Sequence, residues 1–215
     1  MMRKSIYLSV VFMGLLLSAT SCSNQKQTKD STAADQAYRD SIAAAQSAEE
    51  AAFNEANSHA FNVWGEVKFG MTIEEVSKTG IFGTLKGSEE FYNVDGKLVS
   101  KALGTKALKT VTLGFNNDAR KLERIIFNSF DNQPASRIPE FEADVHLIAS
   151  KIEEGWQTKF KYENENVTSD QVKVGSVLHL LSVDYGNASV TSNIGQMSEG
   201  EYDYDLVVSY NSSFE

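Results

Sequence analysis

Gly70-Met71-Thr72-Ile73-Glu74-Glu75-Val76 decides how the rest of the chain is read, because it carries a complete helix start. With Thr72 at the N-cap and Glu75 three residues on, each side chain can accept the other's backbone N–H in a capping box. Gly80 suits the left-handed residue that closes such a helix. The spacing predicts about two helical turns. Strand-like runs follow it: Phe91 to Val94, an Asp95-Gly96 pair suited to a two-residue turn, and Lys97 to Leu103. Ala107 to Phe115, a polar Asn116-Asn117-Asp118 turn and Leu122 to Phe130 complete an antiparallel meander.

The pattern recurs downstream. Pro139 suits a first helical position, Glu140, Glu142 and Asp144 place negative charge in the opening turns, and Gly155 stands at the far end. Phe141, Val145, Ile148 and Ile152 recur at helical spacing and predict a buried stripe. Trp156, Thr158, Phe160 and Tyr162 alternate with Gln157, Lys159, Lys161 and Glu163, which reads as a half-buried strand. Further strands are predicted at Val177 to Asp184, Ala188 to Gln196 and Tyr202 to Tyr210. The expected fold is α+β, two helix-then-meander units over about 66–130 and 138–211 that form one sheet with helices on one side.

The Gly-Met-Thr helix start, with Leu113-Gly114-Phe115-Asn116-Asn117-Asp118 and Leu122 after it, resembles a pattern of small lipoproteins. It is that of the smallest lipoprotein of the β-barrel assembly machine and of the β-lactamase inhibitor proteins. The resemblance covers about 60 residues, and the second half lacks the Gly-Met-Thr signature. It implies a protein-binding surface and no catalysis.

Upstream of 60 the composition changes. Asn24 to Lys29 is polar throughout, and Ser31 to Ala60 is rich in Ala, Ser, Glu, Asp and Asn. Such a segment buries no core of its own, although Ala, Gln and Glu favour helix, Thr32 with Asp35 offers a cap, and Tyr38, Ile42, Ala45, Ala52 and Ala56 make a thin stripe. Residues 22–59 read as a partly helical tether, reaching roughly 55 Å if fully helical, ahead of a globular domain at 60–215. The Asp-Ser-Ile-Ala composition near Asp40 resembles the spacers of Bacteroidetes lipoproteins. Asp30-Ser31-Thr32 and Asp40-Ser41-Ile42 resemble the acceptor sequence of the Bacteroidetes O-glycosylation system, which makes Ser31 and Ser41 candidate acceptors.

The N-terminus supplies an address. Arg3 and Lys4, an apolar run from Ile6 to Leu17, and small residues before Cys22 form a secretory leader over 1–21. The arrangement resembles the lipobox of bacterial lipoproteins, although Ala19 stands where a larger aliphatic is usual. That resemblance implies diacylglycerol on the Cys22 sulfur, cleavage before it and acylation of the new N-terminus. Cys22 is the single cysteine, so no disulfide within the chain is expected. Attachment to the cell envelope, the outer membrane above all, then rests on covalent lipid. Removal of the leader takes two basic residues from a chain of net charge −9. So acidic a protein is a poor partner for nucleic acid or anionic lipid.

No motif points to catalysis, a cofactor or a metal. His59 ends the tether, His146 sits beside an apolar helix face, and His179 reads as sharing one side of a strand with Val177, Leu181 and Val183. None has a second His or Cys at ligand spacing. Ser23-Asn24-Gln25-Lys26, Ser169-Asp170-Gln171 and Lys78-Thr79-Gly80 mimic pieces of penicillin-recognising enzymes in the wrong settings. Glu199, Glu201, Asp203 and Asp205 alternate along a predicted strand, aligning four carboxylates opposite Tyr202, Tyr204 and Leu206. Such a row suits a basic partner, or it is a solvated or edge face kept charged against aggregation. A strand spaces alternate side chains about 6 to 7 Å apart, too widely for a calcium loop. The expected function is a nonenzymatic, lipid-anchored envelope protein that binds a protein or envelope ligand through its sheet face or loops. An envelope hydrolase with a noncontiguous site and a periplasmic inhibitor or immunity protein are the alternatives.

Overall fold

The computed structural model describes residues 28–86, 89–116, 120–129 and 132–211, and the side chains from residue 35 onward. Cys22 and Ser23 to Lys26 therefore lie outside the described residues, as does the Ser31 side chain. The chain divides into two units, 1–46 and 47–215. The described part of the first belongs to helix α1, Thr28–Ala60, and is exposed from residue 35 to the division. Thr32 lies inside this helix rather than at its start.

The second unit is α+β. After the last turns of α1 come a short ribbon, β1 (Asn62–Trp64) with β2 (Val67–Lys68), and helix α2, Ile73–Thr79. The capping box forms as expected. Thr72 Oγ1 accepts the Glu75 N–H at 3.3 Å, Glu75 Oε2 accepts the Thr72 N–H at 2.8 Å, and Gly80 closes the helix at φ +70°. The bond from the Thr72 backbone holds the Glu75 carboxyl below its usual range. Strands β3 (Phe91–Asp95), β4 (Thr110–Phe115) and β5 (Leu122–Asn128) then pair as an antiparallel meander.

Lys97 to Leu103 is not a strand of that meander but helix α3. The Asp95-Gly96 pair makes no tight hairpin. Asp95 Oδ1 accepts the Lys97 N–H at 3.0 Å, and Gly104 ends the helix at φ +79°. Good helix formers between two such ends outweigh the weak alternation. The Gly96 N–H reaches Lys109 O at 2.8 Å and closes the excursion, so β3 and β4 still meet with Asp95 opposite Thr110.

Helix α4, Ile138–Trp156, carries the predicted stripe: Phe141, Val145, Ile148 and Ile152 are all buried. Each contributes roughly 1.5–3 kcal/mol relative to exposure. Gly155 is not the terminator. It lies within the last turn, where a Cβ would stand 2.8 Å from Asn62 O, so its small size lets β1 cross the helix closely. The left-handed cap is Gln157, at φ 53°. The segment after it is not a regular strand either. Glu153, at the end of α4, accepts the Phe160 N–H and binds Lys159, both at 2.7 Å, which curls the chain back, and Tyr162 makes only an isolated bridge to Leu181.

Strands β6 (Val177–Tyr185), β7 (Ala188–Ser198) and β8 (Glu201–Tyr210) form the second meander. The strand order is β3-β4-β5-β8-β7-β6, so the two meanders join through their last strands, Asn128 opposite Asp205 and Phe127 opposite Leu206. One face is core. Tyr202, Tyr204, Leu206, Val208 and Tyr210 are buried, and Tyr204 meets Phe141 of α4 with ring centroids 5.4 Å apart.

Candidate functional site

The side chains of β8 that alternate with this core, Glu201, Asp203, Asp205, Val207 and Ser209, point to the opposite face and are half-buried. Register carries the same face across the sheet. One row runs Asp95, Thr110, Asn128, Asp205, Asn193 and His179, in successive strands from one edge to the other. The next row is Asn93, Thr112, Ile126, Val207, Thr191 and Ser182, mixed in polarity. This face combines hydroxyls, carboxamides and carboxylates with a β-branched centre.

Three of the four predicted carboxylates therefore share a face, and Glu199 lies in the turn before β8. The strand is no edge. From Asp205 onward it is held between β5 and β7, and before that Tyr202 bridges Gln133 on the β5 side, so the row does not guard a free border. Glu201 accepts the hydroxyl of Ser198 across the hairpin. Asp205 accepts Asn193 Nδ2 at 2.8 Å, and its carboxyl is pushed above the usual range by burial, against that bond and the pull of His179. Asp203 is raised as well, by burial first and by the charge of Asp205 second.

His179 does not share a side with Leu181 and Val183. A bulge between His179 and Leu181 buries Leu180 and Leu181 together and reverses the alternation. His179 thus faces outward opposite Asn193 while Leu181 enters the core. His146 instead meets the Tyr162 ring in a tilted contact at 4.0 Å between centroids, with Glu165 4.0 Å from Nε2. Burial, followed by the charges of Glu153 and Glu165, pushes the Tyr162 hydroxyl up to about 12. Among the described residues, no three His, Cys, Asp or Glu side chains gather as metal ligands. Of the enzyme-like fragments, Gly80 is spent on capping α2 and Ser169–Gln171 is a 3-10 turn. Ser41 is exposed on α1, its hydroxyl donating to Tyr38 O at 2.7 Å.

A second polar cluster lies on the core face. Asp144, on α4, is 1 % exposed. It accepts the N–H groups of Lys106, Ala107 and Leu108 at 2.8, 2.7 and 3.0 Å and the Tyr204 hydroxyl at 3.3 Å. Burial raises its carboxyl despite the four donors. Every oxygen is occupied by the protein, so the cluster pins α4 to the loop before β4 and is structural.

Asn128, Asn193 and Gly195 are members of the open face that sequence patterning missed. Asn128 is fully buried, and neither polar atom of its carboxamide has a hydrogen-bond partner among the described residues. Asn193 Oδ1 is likewise buried and unpartnered. Gly195 stands opposite Asp203, where a Cβ would lie 3.0 Å from Asp203 Oδ1. The one available signal was a glycine inside a strand, which marks a close approach. No protein-family model, curated protein or solved structure matches the chain.

Proposed function

We propose that this protein is a nonenzymatic, lipid-anchored component of a bacterial cell envelope that binds a partner protein through the open face of its six-stranded sheet. The carrying observation is the asymmetry of that sheet: α4 packs on one face, while the other presents half-buried rows of hydroxyl, amide and carboxylate groups around Ile126 and Val207. Interfaces are built from such mixed surfaces, with an apolar centre and a polar surround. Neighbouring strands spread these groups at about 4.8 Å intervals, which suits an extended contact rather than convergence on one reacting bond. The leader, Cys22 and the Ala-rich segment supply the anchor and spacer, with the outer membrane as the favoured address. The resemblance around Thr72 to assembly-machine and inhibitor lipoproteins agrees with protein binding, and the tandem helix-then-meander order keeps an inhibitor or immunity role as the second reading.

Site-specific photo-cross-linking in envelope-bearing cells tests this. A probe at Thr191, on the open face, should give a discrete cross-linked species that is lost when Cys22→Ala abolishes palmitate labelling. A probe at Leu147, exposed on α4, should not. Cross-links from Leu147 and none from Thr191 would overturn the assignment of the face. A Cys22→Ala protein that is still acylated and mature in size would overturn the anchor.

A further inference from the structure

We infer that the outer edge of β3, Phe91–Asp95, pairs antiparallel with the same edge of a second copy of this chain and joins two six-stranded sheets into one. The inference concerns the border of the sheet and stands apart from the reading of its open face. The Gly96 N–H donates to Lys109 O and the Phe115 N–H to Glu90 O, both at 2.8 Å. Bonds in an antiparallel pair fall on alternate residues, so Phe91, Asn93 and Asp95 turn their N–H and C=O groups away from β4. These outward groups have no partner among the described residues, and all three residues are exposed.

The other border of the sheet is treated differently. Along β6, Leu180 O accepts the Glu163 N–H at 2.8 Å, His179 O accepts Asn164 Nδ2 at 2.7 Å, and a bulge follows His179. Cover and bulges are the ordinary protection of an edge. β3 has no proline and keeps unbroken register with β4. Its Phe91 ring is turned back onto the sheet, for a Cβ on Gly114 of β4 would lie 3.2 Å from Phe91 Cε1, and the edge is left open.

The occupant follows from the symmetry of the strand's own sequence. A two-fold axis at Asn93 sets Asn93 against itself, and Phe91 and Tyr92 against Asp95 and Val94 of the second copy. All three outward residues then enter ladder pairs of two bonds each, about six bonds in all. The same register sets exposed Glu89 against Lys97, whose side chain is 88 % exposed, once on each side of the axis. Opposite charges facing across strands attract. A slip of two residues sets Glu89 against Asp95 or Lys97 against Phe91 and loses the match. A five-residue edge is smaller than a standard interface, and each copy carries a net charge of −9, so the dimer is weak, with a Kd on the order of 10–100 μM. The axis stands perpendicular to the sheet, so both open faces lie on one side and make a continuous surface.

Oxidation with copper phenanthroline of the full chain in envelope-bearing cells tests the pairing. Asn93→Cys should give a disulfide-linked homodimer, since residues opposed in such a pair have Cα atoms about 5.5 Å apart, within disulfide reach. Glu154→Cys, exposed on α4, should not. Phe91→Cys and Asp95→Cys should each be silent alone, with like positions about 14 Å apart along the strands, and should cross-link when co-expressed. Sedimentation of the full chain in density-matched detergent gives the affinity. Asn93→Pro removes an outward donor and none of the β4 ladder, and should weaken the dimer by about tenfold or more. Lys97→Glu should weaken it about fivefold, and Glu89→Lys added to it should restore it. If Asn93→Pro misfolds, the charge exchange decides. No Asn93→Cys homodimer, equal cross-linking from Glu154→Cys, or an Asn93→Pro protein that dimerises like the parent overturns the inference. Equal cross-linking by Phe91→Cys alone overturns the register, and an Asn93→Cys adduct of another protein without homodimer overturns the second copy as occupant. Thr191 lies on β7, away from this edge, so a Thr191 cross-link that persists beside a failed Asn93→Cys dimer would leave the open face standing and remove only the edge pairing.

Discussion

Replacing Asp144 by Ala should be among the most destabilising single changes in the domain, by about 3–5 kcal/mol. The carboxylate accepts two N–H groups in a buried setting, from Ala107 and Leu108, and a third, in a part-buried setting, from the backbone of Lys106. Each donor stranded away from water costs about 1–3 kcal/mol. The sum is reduced because burial already opposes the ionised carboxyl. Against a typical total of about 5–15 kcal/mol, the loss is a large share of the stability. Urea unfolding, at a slope of about 2 kcal/mol per molar, should show the midpoint falling by roughly 1.5–2.5 M. Tyr204→Phe, which removes a single donor at 3.3 Å, should cost only about 1 kcal/mol. In the Asp144→Ala background it should cost less, because the shared bond is already gone. An Asp144→Ala midpoint within experimental error of the parent would refute the view that this carboxylate pins α4 to the loop before β4.

Three further outcomes follow from the same reasoning. Thr72→Ala should cost about 0.5–2 kcal/mol by urea midpoint while Thr72→Ser stays near neutral, since either hydroxyl accepts the Glu75 N–H; equal stability of all three would remove the cap. Gly155→Ala, which helix propensity alone favours by about 1 kcal/mol, should instead destabilise, because the new Cβ meets Asn62 O at 2.8 Å; a gain in midpoint would show that β1 yields easily. Asp203 and Asp205 have carboxyls raised by burial, so between pH about 4 and the raised values the folded form holds protons that the unfolded chain has released. Their share of stability is therefore present at low pH and lost as pH rises through that window. Asp205→Asn should flatten this part of the profile, and a parent profile that the variant reproduces unchanged would refute the assignment.

The parts of this fold that were legible in the sequence are those fixed by neighbours in the chain. The Thr72–Glu75 box, the Gly80 cap, the Phe141 to Ile152 stripe and the alternation of β8 each depend on residues within a few positions of one another. Misreadings arose where a distant contact decided. Asp95-Gly96 looks like a hairpin turn until Lys109 is seen to close a longer excursion, and Gly155 looks like a terminator until Asn62 is found against it. The bulge after His179 follows from two adjacent leucines entering the core, which a period-two reading does not anticipate. The open face was half legible: its carboxylates alternate along one strand, but Asn128, Asn193 and Gly195 join them only through the register of β5 and β7 with β8.

Cross-linking from Thr191 in a Val207→Glu variant tests the central claim most directly, because Val207 lies on the open face while its neighbour Val208 is fully buried in the core. Val207→Glu should leave the urea midpoint within about 1 kcal/mol of the parent, as changes outside the core usually do, and should abolish the cross-link. Val208→Glu should prevent folding by burying an unpaired charge. A folded Val207→Glu protein that cross-links as strongly as the parent would contradict the account, for the face we assign to the partner would then carry a charge at its centre without consequence.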